Sequence, residues 1–449
     1  MRRGETSSVL NAIVLFSEHY GELKELQTCR YSLVSVGSVL AAIQDGLHGI
    51  RHYVPEGVPL LGVGNVTEDG IDLSDANYIT PEEQQRLSAS QVRRGDLLVT
   101  ITGRLGTASL YDSDAPANLS AHVALCRPNP DFELLYLKYF FASRFGSASL
   151  SKAQIGSTHP HINVRRLAEL PMPLPPLEKQ RELVSAMEAA RVARRAKLAE
   201  ADALLSSLDG YLLDLLELVP PQSLRKTFAI RANQLTNALG AERYAGLQLE
   251  QALPWVGTVA DAAELIEART IPSREGAAED WDWIRIDDLP NQPWQVETLR
   301  TAPGAEIEGA FYPVQEDDIL LARLGPTILN AKFVLAPMPA RQTIASPEFL
   351  VLRCKEGWEP DVVLWLLRTK LLRDVMYLRS RGGTPSRYRL DGADLLSIPF
   401  PSATDLPQST IATEIRHRRK QARTLRVQAE SDWAKTKRWF EEQLLGSVA

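Results

Sequence analysis

The chain is written twice, and this duplication limits its fold more than any other feature, because tandem copies fold as repeated units. VGSV at 36–39 is echoed by VGTV at 256–259, and the strand-like PLLGVGNV at 59–66 by DWIRIDDL at 282–289. GDLLVTITGRLGTASLY at 95–111 finds its counterpart in DDILLARLGPTILNAKF at 317–333. PDFELLYLKYFFAS at 130–143 and PDVVLWLLRTKLLR at 360–373 share helical periodicity, and GSTHPHINVRRLAELPMPLP at 156–175 is answered by GGTPSRYRLDGADLLSIPFP at 382–401. The matches keep one order at an offset of roughly 220–230 residues. Short apolar runs bounded by Gly, Pro, Asn and Asp read as strands, so each copy is a mixed α/β (α+β) unit of about 150 residues followed by a long helix.

Those helices carry the next constraint. From Leu177 onward, Val184, Leu198, Leu205 and Leu212 recur on one row, with Met187, Ala201, Leu208 and Leu215 on a companion row. That is the seam of a coiled coil, with Arg191 and Arg194 making its middle polar. The second copy repeats a weaker seam through Ile411, Ile415, Ala422, Leu425, Ala429 and Trp439, interrupted by Arg418 and Asp432. Helices of about 40 residues cannot bury a seam alone, which predicts that the two pair with each other or with a partner. Charge favours mutual pairing: Arg416, Arg418, Arg419, Lys420, Arg423 and Arg426 crowd the second helix, and Glu200, Asp202, Asp209, Asp214 and Glu217 the later turns of the first. Each helix is entered through prolines, PMPLPPLEKQ at 171–180 and PFPSATDLPQ at 399–408. Proline fixes φ and pushes the preceding residue out of the α region, so the junction is expected to be a stiff elbow that aims the globule.

Bulk properties exclude several classes. The 449 residues, 44% hydrophobic and 24% charged, are ordinary for a globular chain of two or three domains. No apolar run is long enough for a membrane span, and the expectation is a soluble cytoplasmic protein. Cys29, Cys126 and Cys354 form no CxxC pair, so neither a disulfide framework nor a cysteine-rich zinc site is expected. A net charge of −6 argues against a protein that coats nucleic acid by itself, while it fits a reader that binds DNA together with a partner.

The elbow PLPPLxxQ opening a long helix resembles the specificity subunit of type I restriction-modification enzymes, together with Gly156 to Thr158, Ile162, Asn163 and Leu167 before it. GDLLVTITGRLGTA at 95–108 is similar to that family's recurrent target-recognition segment, and the second copy departs from the PPLxxQ spelling, keeping Pro399, Pro401 and Gln408. The resemblance implies an N-terminal extension at 1–30, target recognition domains at 31–176 and 253–401, spacer helices at 177–219 and 402–449, and a linker at 220–252. It implies a DNA-binding, non-catalytic subunit of a phage-defence system. By the same resemblance, each globule reads one half of a bipartite double-stranded DNA target, and the helices pair as an antiparallel coiled coil that sets the gap and docks two methyltransferase subunits. S-adenosylmethionine would then belong to the methyltransferase partner, ATP and Mg to a restriction partner, and no cofactor to this chain.

A search for chemistry supports the non-catalytic expectation. The chain has no GxxxxGK[ST], HExxH or GxGxxG following a strand, and no NPPY-like or DPPY-like tetrapeptide. His159 and His161 lack a third ligand of matching spacing, so no metal is expected there. Pro130-Asp131 and Pro360-Asp361 precede helices, where Asp is expected to cap or complement the dipole rather than to serve a nuclease.

Base and phosphate readout needs Arg, Lys, Asn, Gln, Ser and Thr on projecting loops. The best cluster surrounds a Gly-Gly-Thr-Pro turn: Arg379, Arg381, Thr384, Ser386, Arg387 and Arg389. The equivalent loop of the first copy offers Lys152, Gln154, Ser157, Thr158, His159, His161 and Asn163. Arg104 and Arg323, in TGRLG and ARLG, are second candidates or internal ion-pair partners, and Arg51 in GLHGIRHY is a third. Two loops at one place in the repeat with different polar side chains are what two readers of different half-sites require. The rival reading is a protein-protein adaptor with duplicated globules on a coiled-coil spacer, separable by salt dependence. An enzyme built across the two halves is disfavoured by the missing constellation.

Overall fold

The apolar runs LLVT and ILLA, with every side chain buried, sit inside the central sheet of each copy, in a computed structural model that describes residues 21–46, 52–155, 160–219, 249–250, 253–271, 279–289, 296, 299–304, 307 and 309–445. Arg51, Ser157, Thr158 and His159 lie outside the described residues, as do residues 1–20 and most of the linker 220–252. Two units result, one running to Lys197 and resuming at Val427, the other spanning Leu198–Arg426.

In the first unit the strands are β1 (Leu33–Ser35), β2 (Leu40–Asp45), β3 (Val58–Leu61), β4 (Asn77–Ile79), β5 (Gln91–Val92), β6 (Leu97–Thr100), β7 (Ala108–Leu110), β8 (Ala117–Leu119), β9 (Val123–Pro128) and β10 (Pro171–Pro173). The helices are α1 (Pro81–Arg86), α2 (Leu134–Ala142), α3 (Arg144–Ala153), α4 (Val164–Glu169) and α5 (Leu177–Leu215). An antiparallel sheet of order β2-β9-β6-β7 stands beside a mixed sheet of order β4-β3-β8-β5, in which β3 and β8 run parallel. Residues 21–30 belong to this unit: Leu26 is buried, Arg30 N–H donates to the Leu444 carbonyl, and Arg144 pairs with Glu25.

The second unit repeats the plan. Its strands are β11 (Ala263–Leu265), β12 (Arg269–Ile271), β13 (Asp280–Ile284), β14 (Arg300–Pro303), β15 (Gly309–Pro313), β16 (Ile319–Ala322), β17 (Phe333–Leu335), β18 (Thr343–Ala345) and β19 (Phe349–Cys354). Its helices are α6 (Val259–Ala262), α7 (Gly325–Leu329), α8 (Pro360–Arg368), α9 (Lys370–Arg379), α10 (Gly392–Leu396) and α11 (Gln408–Leu444). The order β11-β19-β16-β17 matches the first antiparallel sheet, and the second sheet again pairs two strands in parallel, β13 with β18, while gaining β12 at its edge. One sequence echo proves out of register. The turn at Val36–Val39 is matched not by VGTV but by α6, three residues later: Val36 N–H donates to Leu170 O and Val259 N–H to Ile398 O, both at 2.9 Å.

The long helices pair antiparallel within each unit. In the first, Lys179 meets Gln443, Arg194 meets Glu430 and Lys197 meets Asp432, so one number rises as the other falls. In the second, Asp202 pairs with Arg426 and Ser207 accepts from Arg418. The expected seam is largely buried at Val184, Met187, Ala201, Leu208 and Leu212, and at Ile411, Ile415, Ala422 and Ala429. Leu215 is exposed. Beyond Ala429 the buried row of α11 is Trp433, Phe440 and Leu444, with Trp439 only half-buried and Asp432 exposed in its pair with Lys197. The basic cluster on α11 is divided: Arg418 and Arg426 face the first long helix, while Arg416 and Arg419 bind Glu359 and Asp361 at the start of α8.

Both elbows are held by the same device. Gln180, 2% exposed, accepts from Glu133 N–H at 3.0 Å, ahead of α2, and donates to the Pro175 carbonyl at 2.8 Å. Gln408 accepts from Glu359 N–H at 2.9 Å, ahead of α8, and donates to Gly357 and Ala403 carbonyls. The prolines contribute strand pairing as well as stiffness, because β10 bonds β1 and Tyr136 O–H donates to Pro173 O. Of the PD dipeptides, Asp361 lies in the first turn of α8 as expected, its carboxylate also bound by Arg416 and Arg419, whereas Asp131 falls short of α2; Glu133 and Glu359 occupy the cap positions.

Candidate nucleic-acid interface

The projecting loops of the two copies are anchored alike. In the second unit, Arg381 and Arg389 exchange backbone hydrogen bonds of 3.0 and 2.8 Å, closing a loop that contains the three-residue turn Pro385–Arg387. Gly382 is required in this closure, since a Cβ there would lie 2.4 Å from the Arg387 carbonyl oxygen. In the first unit Ile155 and His161 exchange the same pair of bonds at 2.7 and 3.1 Å. Each loop is then tied to the turn after the central strand: Gly325 N–H donates to Tyr388 O at 2.8 Å, and Gly103 N–H to Pro160 O at 3.1 Å. Sequence clusters far apart along the chain thus converge, TGRLG with the 155–161 loop and ARLG with the 381–389 loop.

Geometry separates the arginines that sequence had grouped. Arg379 is mostly buried and makes a bidentate pair with Glu250, both contacts at 2.7 Å, while also donating to the Asp394 carbonyl and Ser397 Oγ. Arg381 binds the Asp394 carboxylate at 2.9 and 3.1 Å. Arg389 binds Glu348 at 2.9 and 3.2 Å, which raises its guanidinium above the usual arginine value. Arg387 is exposed at the turn, beside Thr384 and Ser386, whose hydroxyls bond each other at 3.2 Å. Arg323 lies half-buried in a cavity of about 450 Å³ lined also by Arg381, Arg389, Asp391, Ala393 and Asp394.

The first unit presents a different surface. Arg104 is exposed, its carbonyl receiving the Thr100 hydroxyl. Lys152 and Gln154 are exposed at the end of α3, and His161 is exposed between Ile155 and Thr102. The Asn163 side-chain oxygen caps α4 by accepting from Arg166 N–H at 2.9 Å, a role that Asp391 performs for α10. Among the described residues no group of three His, Cys, Asp or Glu side chains is placed to hold a metal ion, and no helix is long and apolar enough to cross a membrane. The acids Glu250, Glu348 and Asp394, which decide which arginines are available, carry no linear signal: Glu250 is separated from Arg379 by 129 positions.

Repeated mixed-sheet globules, each with a loop anchored beside its central strand, and long helices paired antiparallel define an internally duplicated α/β protein. Residues 52–191 match the family model described as type I restriction modification DNA specificity domain. A relative, the type I restriction enzyme EcoBI specificity subunit of Escherichia coli, is 26% identical over 138 residues, 30% of this chain. The chain spans only 29% of that relative's length. Among solved structures, one described as the basis of complex assembly and conformational transition of the type I R-M system covers 93% of this chain and 98% of its own at 16% identity and a TM-score of 0.45. The type I restriction-modification S subunit from M. genitalium covers 94% of this chain and 97% of its own, at 11% identity and a TM-score of 0.42.

Proposed function

We propose that this chain is the DNA sequence-specificity subunit of a type I restriction-modification complex. Its recognition domains, 31–176 and 253–401, each read one half of a bipartite double-stranded target. The observation that carries this reading is that the antiparallel sheet holding β6, β7 and β9 of the matched segment is repeated, strand for strand, by the second unit. The spacer helices fix the unread gap and dock two methyltransferase subunits. Helices of 39 and 37 residues are about 58 and 55 Å long at 1.5 Å per residue, nearly two turns of B-DNA. The exposed candidates Arg104, Lys152, Gln154, His161, Thr384, Ser386 and Arg387 supply DNA contacts.

The subunit catalyses nothing itself and acts in the cytoplasm. S-adenosylmethionine enters with the methyltransferase, and ATP and Mg with a restriction subunit where one assembles. The acidic balance makes the isolated chain a weak DNA binder whose bipartite selectivity appears with the methyltransferase. Long-read mapping of methylated adenines, in cells carrying the chain and the adjoining methyltransferase, tests this directly. Exchanging residues 253–401 for another recognition domain is expected to change one half of the methylated motif and leave the other. A purified chain that cut or methylated DNA alone would overturn the reading, and a partner complex insensitive to salt and free of DNA would favour the adaptor.

A further inference from the structure

The arginines of this protein sort into those whose donors are consumed internally and those whose donors are not. Arg127 and Arg353 clamp Asp96 and Asp318 through Nε and a terminal nitrogen, and Arg379 clamps Glu250 in the same way. A structural arginine satisfies its fork like this. Arg323 does not. Its Nε is buried without a hydrogen bond among the described residues, and none of the described ion pairs includes it. Arg323 lines a cavity together with Arg381 and Arg389, the two residues that close the loop.

The charge of that cavity selects its ligand. Arg381 is neutralised by Asp394 and Arg389 by Glu348, and Asp391 adds a further carboxylate whose Oδ1 already accepts from Ala393 N–H. Three guanidiniums against three carboxylates give a phosphate little net attraction. A base-pair edge, by contrast, offers acceptors to an arginine and a donor to an acid: guanine O6 and N7 on one side, cytosine N4 on the other. Among the described residues the first unit holds no such reader at this place. Ile101 occupies the matching position, receiving Ile162 N–H at 2.9 Å as Arg323 O receives Leu390 N–H at 2.9 Å, and it is buried and apolar.

Resting on the function proposed above, we infer that Arg323 is a specificity-determining residue of the second unit, its guanidinium taking the major-groove edge of a guanine in that unit's half-site. Arg381 and Arg389 are held by their acids as the walls of this site.

Methylated adenines are mapped in cells expressing the chain with its methyltransferase, for the natural sequence, R323K and R323A. R323K keeps the stem and the charge but loses the planar fork, so it remains informative if R323A melts early. In both variants one G·C position of a single half-site is expected to become degenerate, with discrimination at that position falling about 5- to 150-fold, while the other half-site stays intact. An unchanged motif in R323K and R323A would overturn the inference and leave the function standing. A uniform loss across all sites, with a shallower salt dependence, would reassign Arg323 to a phosphate and also overturn it. No bipartite motif with the natural sequence would remove the function and the inference together.

Discussion

The first and second units fasten their globules to the long helices with opposite chemistry. In the first, α2 brings tyrosines to carboxylate and aromatic partners. Tyr139 O–H bonds Glu188, which also holds Arg191 at 2.6 Å, while Tyr136 and Tyr139 lie 5.8 and 6.4 Å from Phe440, and Trp433 closes the cluster. In the second, the start of α8 brings acids to arginines of α11, with Asp361 bound by Arg416 and Arg419 and Glu359 by Arg416, over a core containing Leu208, Leu212, Ile411 and Ile415 alongside Trp358 and Trp365. What remains common is what the backbone needs. The Asp–Arg clamp behind the central sheet, the glutamine at each elbow, and a carboxylate receiving the first N–H of the following helix all recur: Glu441 receives Arg144 N–H and Asp209 receives Lys370 N–H, both at 2.8 Å. Backbone donors impose the same demand on every copy of a fold, whereas packed surfaces change together as long as volume and polarity are matched.

The largest expected effect tests whether the clamps are equivalent. Arg127→Ala and Arg353→Ala each strand a carboxylate that is nearly inaccessible, Asp96 at 3% and Asp318 at 1% exposure. Each is expected to cost about 3–5 kcal/mol in denaturant unfolding of the full chain. A large cost in one copy and none in the other would break the equivalence. Next come the elbows. Gln180→Ala leaves Glu133 N–H without its acceptor and is expected to cost about 1–3 kcal/mol, with Gln408→Ala, at a half-exposed position, toward the lower end. If the elbows aim the reading heads, both variants also widen the range of gap lengths methylated, which target libraries of varied spacing would read out.

Acid titration sharpens the contrast in fastening. Burial works against ionisation of Glu188, but hydrogen bonds from Arg191 and Tyr139 outweigh it and hold the carboxyl below its usual value of 4.5. Its contribution is therefore complete above that value and is lost as the pH falls through the lower folded value. Glu188→Gln is expected to remove this part of the acid-induced loss, by less than about 1 kcal/mol for so partly exposed a pair, when melting is followed from neutral pH downward. The smallest effect concerns the thiols. Burial, reinforced by Asp96, pushes Cys126 up to about 12, and burial with Asp317 and Asp318 pushes Cys354 to about 12. In mass-spectrometric alkylation at pH 8, both are expected to stay unmodified in the native chain and to react on unfolding.

Order, spacing and periodicity by themselves determined the duplication, the mixed α/β class, the apolar seams of the long helices and the shared position of the two projecting loops, because each depends on features repeated along the chain. Tertiary structure alone decided which polar groups are free to recognise anything. Arg379, Arg381, Arg387 and Arg389 are alike in sequence, yet Glu250, Asp394 and Glu348 claim three of them through distances that no spacing records. The same holds for the VGSV echo, which hydrogen bonding to the elbow re-registers by three residues, and for the Trp433, Phe440 and Leu444 row of α11, whose burial is set by the tyrosines of α2. Local pattern fixes which face of an element turns inward, and only the partner that meets that face fixes which charges are spent.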